Sequence, residues 1–173
     1  MLNYEKLIVG EMRTNCYLVW DEDKNAIVID PGDEAEFISE EIERRQLKLI
    51  GILLTHKHSD HTRAALPLKL IYNVFVLNPS PRRCGVSPFD ERETKIFDFQ
   101  VIKTPGHTAD SVCFFSPTLG VVFTGDTLFK ELPTRNENIN SVRKLLELPP
   151  ETIVLAGHDD DTTIAAETMR YLF

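Results

Sequence analysis

An apolar strand candidate, Leu49–Thr55, runs directly into Thr55-His56-Lys57-His58-Ser59-Asp60-His61, which packs three histidines and an aspartate into six positions. In an extended segment, residues two apart point to the same side, so His56 and His58 can reach one metal ion together. The chain then turns, and Asp60 and His61 project from the strand-to-helix junction toward a neighbouring point. Clustered ionisable groups at a strand end cost free energy unless something neutralises or uses them. Imidazole and carboxylate are suitable ligands for zinc, iron or manganese. A single histidine reads as a structural residue; this cluster reads as a metal site.

Three later segments repeat the design of an apolar strand ending in a ligand-type residue on a tight turn. They are Thr104-Pro105-Gly106-His107-Thr108, Phe123-Thr124-Gly125-Asp126-Thr127 and Leu155-Ala156-Gly157-His158. A glycine precedes each candidate ligand, as a sharp turn or a close backbone approach requires. Taken singly, each is an ordinary strand-ending turn. Together they hold, with the first motif, all five histidines of the chain.

Short apolar runs alternate with amphipathic segments, so the fold class is α/β or α+β. Strands are expected at Tyr4–Val9, Cys16–Trp20, Ala26–Asp30, Leu49–Thr55, Val74–Leu77, Lys95–Thr104, Val112–Ser116, Val121–Thr124 and Ile153–Ala156. After the turn Asp30-Pro31-Gly32, a helix is expected from Asp33. Glu36 three residues later resembles a capping box, and Ala35, Ile38 and Ile42 recur at helical spacing. Further helices are expected over Thr62–Ile71, with Pro67 as a kink or in the first turn, over Ile139–Leu146, and from Thr162 or Thr163 to the end. Asn78–Glu93 carries three prolines and little periodicity and reads as a long solvated loop. Without a linker or a detectable repeat, residues 1–173 read as one domain.

Composition narrows the function. The net charge is -8, with no clustered lysine and arginine stripe of the kind that releases counterions from a phosphate backbone, so no nucleic-acid partner is expected. No apolar run approaches a membrane span, and the N-terminal segment lacks the features of a secretory signal. Three widely spaced cysteines, Cys16, Cys84 and Cys113, do not make a disulfide framework and point to a reducing, cytoplasmic setting. Neither a GxSxG elbow nor a GxGxxG loop is present. Asp30 in Ile29-Asp30-Pro31-Gly32 reads equally as a partner that orients a ligand histidine and as a turn residue at a helix entry.

The set THKHSDH, TPGHT, TGDTLF and AGHDDDTTI resembles the metallo-β-lactamase-fold hydrolases, and within them the glyoxalase II-like branch. The resemblance covers the chain from about Asn15 to the last helix. It implies a four-layer αβ/βα sandwich of two mixed β-sheets, with His56, His58 and His107 on one metal, Asp60, His61 and His158 on a second, and Asp126 bridging them. The implied cofactors are two divalent metal ions, zinc first, with iron or manganese as alternatives. The implied chemistry is attack by a metal-shared hydroxide on a small acyl thioester or ester, with Asp60 as the catalytic proton acceptor. A lactone is a further candidate substrate. An iron-dependent persulfide dioxygenase and a metal-stabilised binding protein are the rival readings.

The sequence departs from the family pattern at Thr62-Arg63-Ala64-Ala65, where relatives often carry paired glycines, at Asp110, where glycine is common, and in the short segment Lys130–Arg135. These departures bear on substrate identity. Lys130, Arg135 and Arg63 are the candidate cations for a substrate carboxylate. Glyoxalase II proper also carries a helical C-terminal extension that helps bind glutathione, whereas this sequence stops at Phe173, soon after the final ligand motif.

Overall fold

The structure, a computed structural model, describes residues 1–79, 97–130 and 139–171. Two compact units, Met1–Asp90 and Glu91–Phe173, are described in turn.

The first unit is a mixed sheet in the order β1-β2-β3-β4-β5. β1 (Asn3–Val9), β2 (Thr14–Trp20) and β3 (Asn25–Ile29) form an antiparallel meander. A tight turn joins β1 to β2, with Arg13 N–H donating to Gly10 O over 3.0 Å. The strand direction then changes because helices intervene: parallel neighbours need a crossover too long for a hairpin. Helix α1 (Ala35–Arg44) leads to β4 (Lys48–Leu53), parallel to β3. A single helical turn, α2 (Ser59–Thr62), and helix α3 (Ala65–Tyr72) lead to β5 (Phe75–Leu77), parallel to β4. Ile38 and Ile42 of α1 and Leu68 of α3 pack with Leu18, Val28 and Ile52 of the sheet in one core cluster. The i, i+4 spacing of the α1 pair is the apolar stripe of a surface helix.

Two expectations are corrected here. Asp33 does not cap α1: the helix begins at Ala35 behind Glu34, which has φ 54° and makes no side-chain cap bond. Both acidic side chains are engaged elsewhere, Asp33 with Arg63 at 2.7 Å and Glu34 with the Gly10 N–H at 2.8 Å. The expected helix Thr62–Ile71 is two pieces, because Ala64 N–H donates to Pro31 O instead of extending the first turn. Pro67 sits in the first turn of α3, where its missing N–H costs no helical bond.

The second unit is also a mixed sheet, in the order β10-β9-β8-β7-β6. β6 (Gln100–Lys103), β7 (Val112–Ser116) and β8 (Val121–Gly125) form an antiparallel meander. Helix α4 (Ile139–Leu146) precedes β9 (Ile153–Ala156), which runs parallel to β8. The two-residue β10 (Thr162–Thr163) pairs antiparallel with β9 and leads into α5 (Ile164–Tyr171). β10 was not expected, since two residues show no periodicity. It is tied to α5 by Thr162 Oγ1, which donates to the buried Glu167 over 2.6 Å. Val122 and Val154 of the sheet pack with Val142 and Leu145 of α4 and Ile164 of α5.

The expected strand Lys95–Thr104 is shorter among the described residues, beginning at Gln100. Phe97 and Phe99 precede it as buried side chains, and the Phe99 ring lies edge-on to Phe114 and Phe123. Of the expected loop Asn78–Glu93, only Asn78 and Pro79 lie within the described residues. Arg135 and Cys84 also lie outside them. No helix among the described residues is long and apolar enough to cross a membrane.

Both units thus run meander, crossover helix, parallel strand, and the ligand-type residues sit just beyond strand ends in each. Ile52 is fully buried in β4, three residues before Thr55. Truncating Ile52→Ala should cost about 2–5 kcal/mol, the usual range for emptying a core isoleucine site. Chemical denaturation checks this: the midpoint should fall with little change in slope.

Candidate metal centre

In the first unit, the chain beyond β4 is held by one carboxylate. Asp30 follows β3 with φ 51°, and its side chain is 2% exposed. Its Oδ1 accepts the Thr55 N–H at 2.7 Å; its Oδ2 accepts the Thr55 hydroxyl at 2.6 Å and His61 Nδ1–H at 2.9 Å. The Thr55 hydroxyl has one proton and gives it to Asp30, so toward His56 Nδ1, 3.0 Å away, it can only accept. Both buried imidazoles are therefore fixed in one tautomer, protonated at Nδ1, with the lone pair at Nε2. That arrangement is the one by which a carboxylate or hydroxyl orients a metal-binding histidine.

The α2 turn sets the remaining donors of this unit. His58 stands at its N-cap in extended conformation, and its carbonyl accepts the His61 N–H and the Thr62 hydroxyl, each at 3.1 Å. The ring centroid of His56 is 4.8 Å from that of His58 and 4.2 Å from that of His61. Asp60 Oδ2 is 3.5 Å from His61 Nε2. Gly32 lies against this turn: a Cβ there would meet the Asp60 carbonyl oxygen at 1.7 Å. Asp30, His56 and His61 bring candidate donor atoms within 4.8 Å of one another, but both Asp30 oxygens serve Thr55 and His61, so Asp30 orients the His61 ring.

In the second unit, His107 lies in the β6–β7 connection, Asp126 just past β8 and His158 just past β9. The β6–β7 connection is closed by polar contacts. Thr108 N–H donates to Ser111 Oγ at 3.1 Å and Thr108 Oγ1 to Asp110 at 2.6 Å, so Asp110 supports the turn that carries His107. Gly125 takes a left-handed φ of 49°, which turns the chain sharply before Asp126, and its carbonyl accepts the Gly157 N–H at 2.8 Å. Asp126 is buried and divides its two oxygens: Oδ2 is 3.4 Å from His107 Nε2 and Oδ1 is 3.7 Å from His158 Nε2.

These separations test whether the residues fit a metal. Two donors each about 2.0–2.1 Å from one tetrahedral ion lie about 3.4 Å apart. The pairs Asp60–His61, Asp126–His107 and Asp126–His158 have that spacing, longer than the ~2.9 Å typical of an N–H···O bond. Nitrogen and carboxylate donors suit zinc and iron alike. The set fits.

The structure brings His56, His58, Asp60 and His61 together in the first unit and His107, Asp126 and His158 together in the second. Asp30 holds the orienting position, one of the two roles expected of it. Thr55, which links Asp30 to His56, and Gly32, which admits the α2 turn, were not foreseen; a polar β-branched residue directly before the first histidine was the available signal for Thr55. Cys16 is not a candidate nucleophile, since burial and then the nearby Asp30 charge push its thiol well up. Two of the expected substrate cations face carboxylates: Arg63 bonds Asp33 at 2.7 Å and Lys130 bonds Asp160 at 3.2 Å.

Comparison with known proteins is consistent with this chemistry. A family model described as the metallo-beta-lactamase superfamily matches residues 9–83 and 85–158. A protein of Haemophilus influenzae named hydroxyacylglutathione hydrolase GloC is 35% identical, over 96% of this chain and 95% of its own length. The hydroxyacylglutathione hydrolase of Chromohalobacter salexigens is 35% identical over 80% of this chain, and the match spans 59% of that longer protein. Among solved structures, BLEG-1 B3 metallo-beta-lactamase superposes with a TM-score of 0.83 at 30% identity, covering 96% of this chain and 97% of that one. TTHA1623 in a di-iron-bound form gives 0.81 at 31% identity, covering 95% and 96%.

Gly32→Ala should displace the α2 turn while leaving the two sheets intact. The expected result is metal affinity lowered about 10–100-fold, the range seen when support behind a ligand is lost, with cooperative unfolding retained. Chelator competition and thermal unfolding measure the two quantities; unchanged affinity would contradict the contact.

Proposed function

The chain belongs to the metallo-beta-lactamase superfamily, and from that membership we propose that it is a metal-dependent hydrolase of small acyl thioesters or esters. His56, His58 and His107 would hold one divalent ion and Asp60, His61 and His158 a second, with Asp126 shared. Zinc is the proposed metal; the di-iron form of a relative 31% identical favours iron as the second reading. The observation that carries the proposal is the divided carboxylate of Asp126, whose two oxygens face two different histidines. A carboxylate shared between two ions would be set that way.

Cations bound there would lower the pKa of a coordinated water and polarise the carbonyl it attacks. The side chains do the rest. Asp30 and Thr55 keep the His56 and His61 rings fixed, so the donors need no rearrangement as the reaction proceeds. Asp60 would accept the proton of the attacking water. The water oxygen bonds to the carbonyl carbon, the carbon–sulfur bond of a thioester breaks, and the departing thiolate takes up the proton from Asp60, leaving a thiol and a carboxylic acid that releases its remaining proton to solvent. No serine or cysteine nucleophile is required. The name carried by a relative of nearly equal length makes a hydroxyacyl thioester of glutathione the first substrate to assay.

Elemental analysis and assay of His58→Ala and Asp126→Ala test the proposal. The wild type should carry about two metal ions per chain. Each variant should lose metal and at least roughly a hundredfold in kcat/KM, the scale of a removed transition-state contact, while circular dichroism stays unchanged. Variants that keep metal and full activity would refute the ligand set. Oxygen uptake with a persulfide, without thioester hydrolysis, would favour the iron-dependent oxygenase.

A further inference from the structure

A cavity of about 350 Å³ opens beside Asp60, entirely within the first unit. Its lining comes from three places: the β1–β2 turn, with Val9, Gly10, Glu11, Met12 and Thr14; the turn after β3, with Gly32 and Asp33; and α2 with the residue after it, with Ser59, Asp60 and Arg63. Nothing in the ligand set or in the proposed chemistry uses the β1–β2 turn, yet the turn is pinned in place. Gly10 N–H donates to Glu34 at 2.8 Å, Arg13 N–H closes the turn on Gly10 O at 3.0 Å, and Asp33 abuts Gly10 while holding Arg63 at 2.7 Å.

The charges of this wall are unequal. Among the described lining residues, Glu11, Asp33 and Asp60 are acidic and Arg63 is basic. Arg63 is already compensated by Asp33, whose carboxyl is held below the ordinary range by the Glu34 backbone N–H and by Arg63. That leaves Asp60, which is committed to the proposed metal site, and Glu11, the acidic side chain that the β1–β2 turn presents to whatever extends past the reacting carbon. Val9 and Met12 add apolar surface. Beyond the reach of the proposed metal ions, an anionic group would meet repulsion from Glu11, whereas an uncharged group would meet apolar contact.

We propose that this cavity is the acyl subsite and that Glu11 makes it selective for uncharged acyl groups. The inference rests on the hydrolase reading above and deepens it. A thioester of glutathione carries its net negative charge on the thiol side, so that side is excluded from the acidic wall and the acyl group is directed into it. Discrimination then falls on the acyl chain: a neutral hydroxyacyl group is accepted and a carboxylate-bearing one is disfavoured.

Four thioesters test this: lactoyl and succinyl thioesters of glutathione, and the same two acyl groups on N-acetylcysteamine, a neutral thiol. The holoenzyme and its Glu11→Lys and Glu11→Gln variants are compared by ratios of kcat/KM, which cancel differences in metal loading. In the wild type lactoyl should exceed succinyl on both thiols. Glu11→Lys should shift the lactoyl-to-succinyl ratio toward succinyl by roughly fivefold, the scale of one solvent-screened charge contact, with Glu11→Gln intermediate. The glutathione-to-N-acetylcysteamine ratio should stay constant. If the thiol ratio moves instead, the cavity holds the leaving group and the acyl assignment is wrong. If neither ratio moves, Glu11 does not set specificity. Hydrolysis of none of the four would bring down the parent reading, and this one with it.

Discussion

One buried carboxylate organises the first half of the candidate site. Asp30 accepts three hydrogen bonds, two from Thr55 and one from His61, while only 2% exposed. Burying a charge without partners is prohibitive, so the surrounding backbone must supply donors in fixed positions. It does so through strand geometry. β3 and β4 run parallel, Asp30 N–H donates to Leu53 O, and the ladder therefore delivers Thr55 opposite Asp30. The left-handed backbone at Asp30 is the cost of that placement, and the bonds offset it. From this single contact follow the tautomers of His56 and His61, and hence which nitrogen each can offer a metal.

The second unit solves the same problem differently. Asp126 itself follows the third meander strand, the place Asp30 has in the first unit. The topologies correspond: β3 and β8 are each followed directly by an aspartate, and β4 and β9, reached by a crossover helix, are each followed within three residues by a histidine. In the first unit the aspartate turns inward to Thr55 and His61. In the second it turns its oxygens to His107 and His158. One architectural position thus yields an orienting residue in one case and a candidate bridging ligand in the other.

How much of this was legible in the sequence depends on the length scale of each signal. The α/β class, the major strands and every ligand-type residue could be read, because apolar runs, helical spacing and a dense cluster of histidines are local patterns. The correspondence between the units was not legible, since Ile29-Asp30-Pro31 and Gly125-Asp126-Thr127 share too little sequence to register as a repeat. The start of α1 differs from the expectation for a physical reason: Asp33 with Glu36 looks like a capping box locally, but Arg63 recruits Asp33 across the fold. Thr55 and Gly32 act through contacts with residues 25 and 28 positions away, which no local window contains.

The same distinction separates the parts of the molecule by role. Candidate ligands follow the ends of paired strands, where hydrogen-bond ladders fix the backbone to a fraction of an ångström and a metal's narrow tolerance can be met. The wall of the cavity is instead a four-residue turn whose position depends on a few side-chain contacts, Gly10 to Glu34 and Asp33 to Arg63. Turn side chains can change without disturbing a ladder, so substrate preference can vary while the chemistry of the centre is retained. The departures of this chain from its relatives support that division. Arg63 contributes to the cavity wall and Asp110 supports the turn carrying His107, while all seven ligand-type residues are present. On the reading proposed above, the ligand-type residues beyond the strand ends carry the reaction, and the residues that select the acyl group are to be sought in the β1–β2 turn.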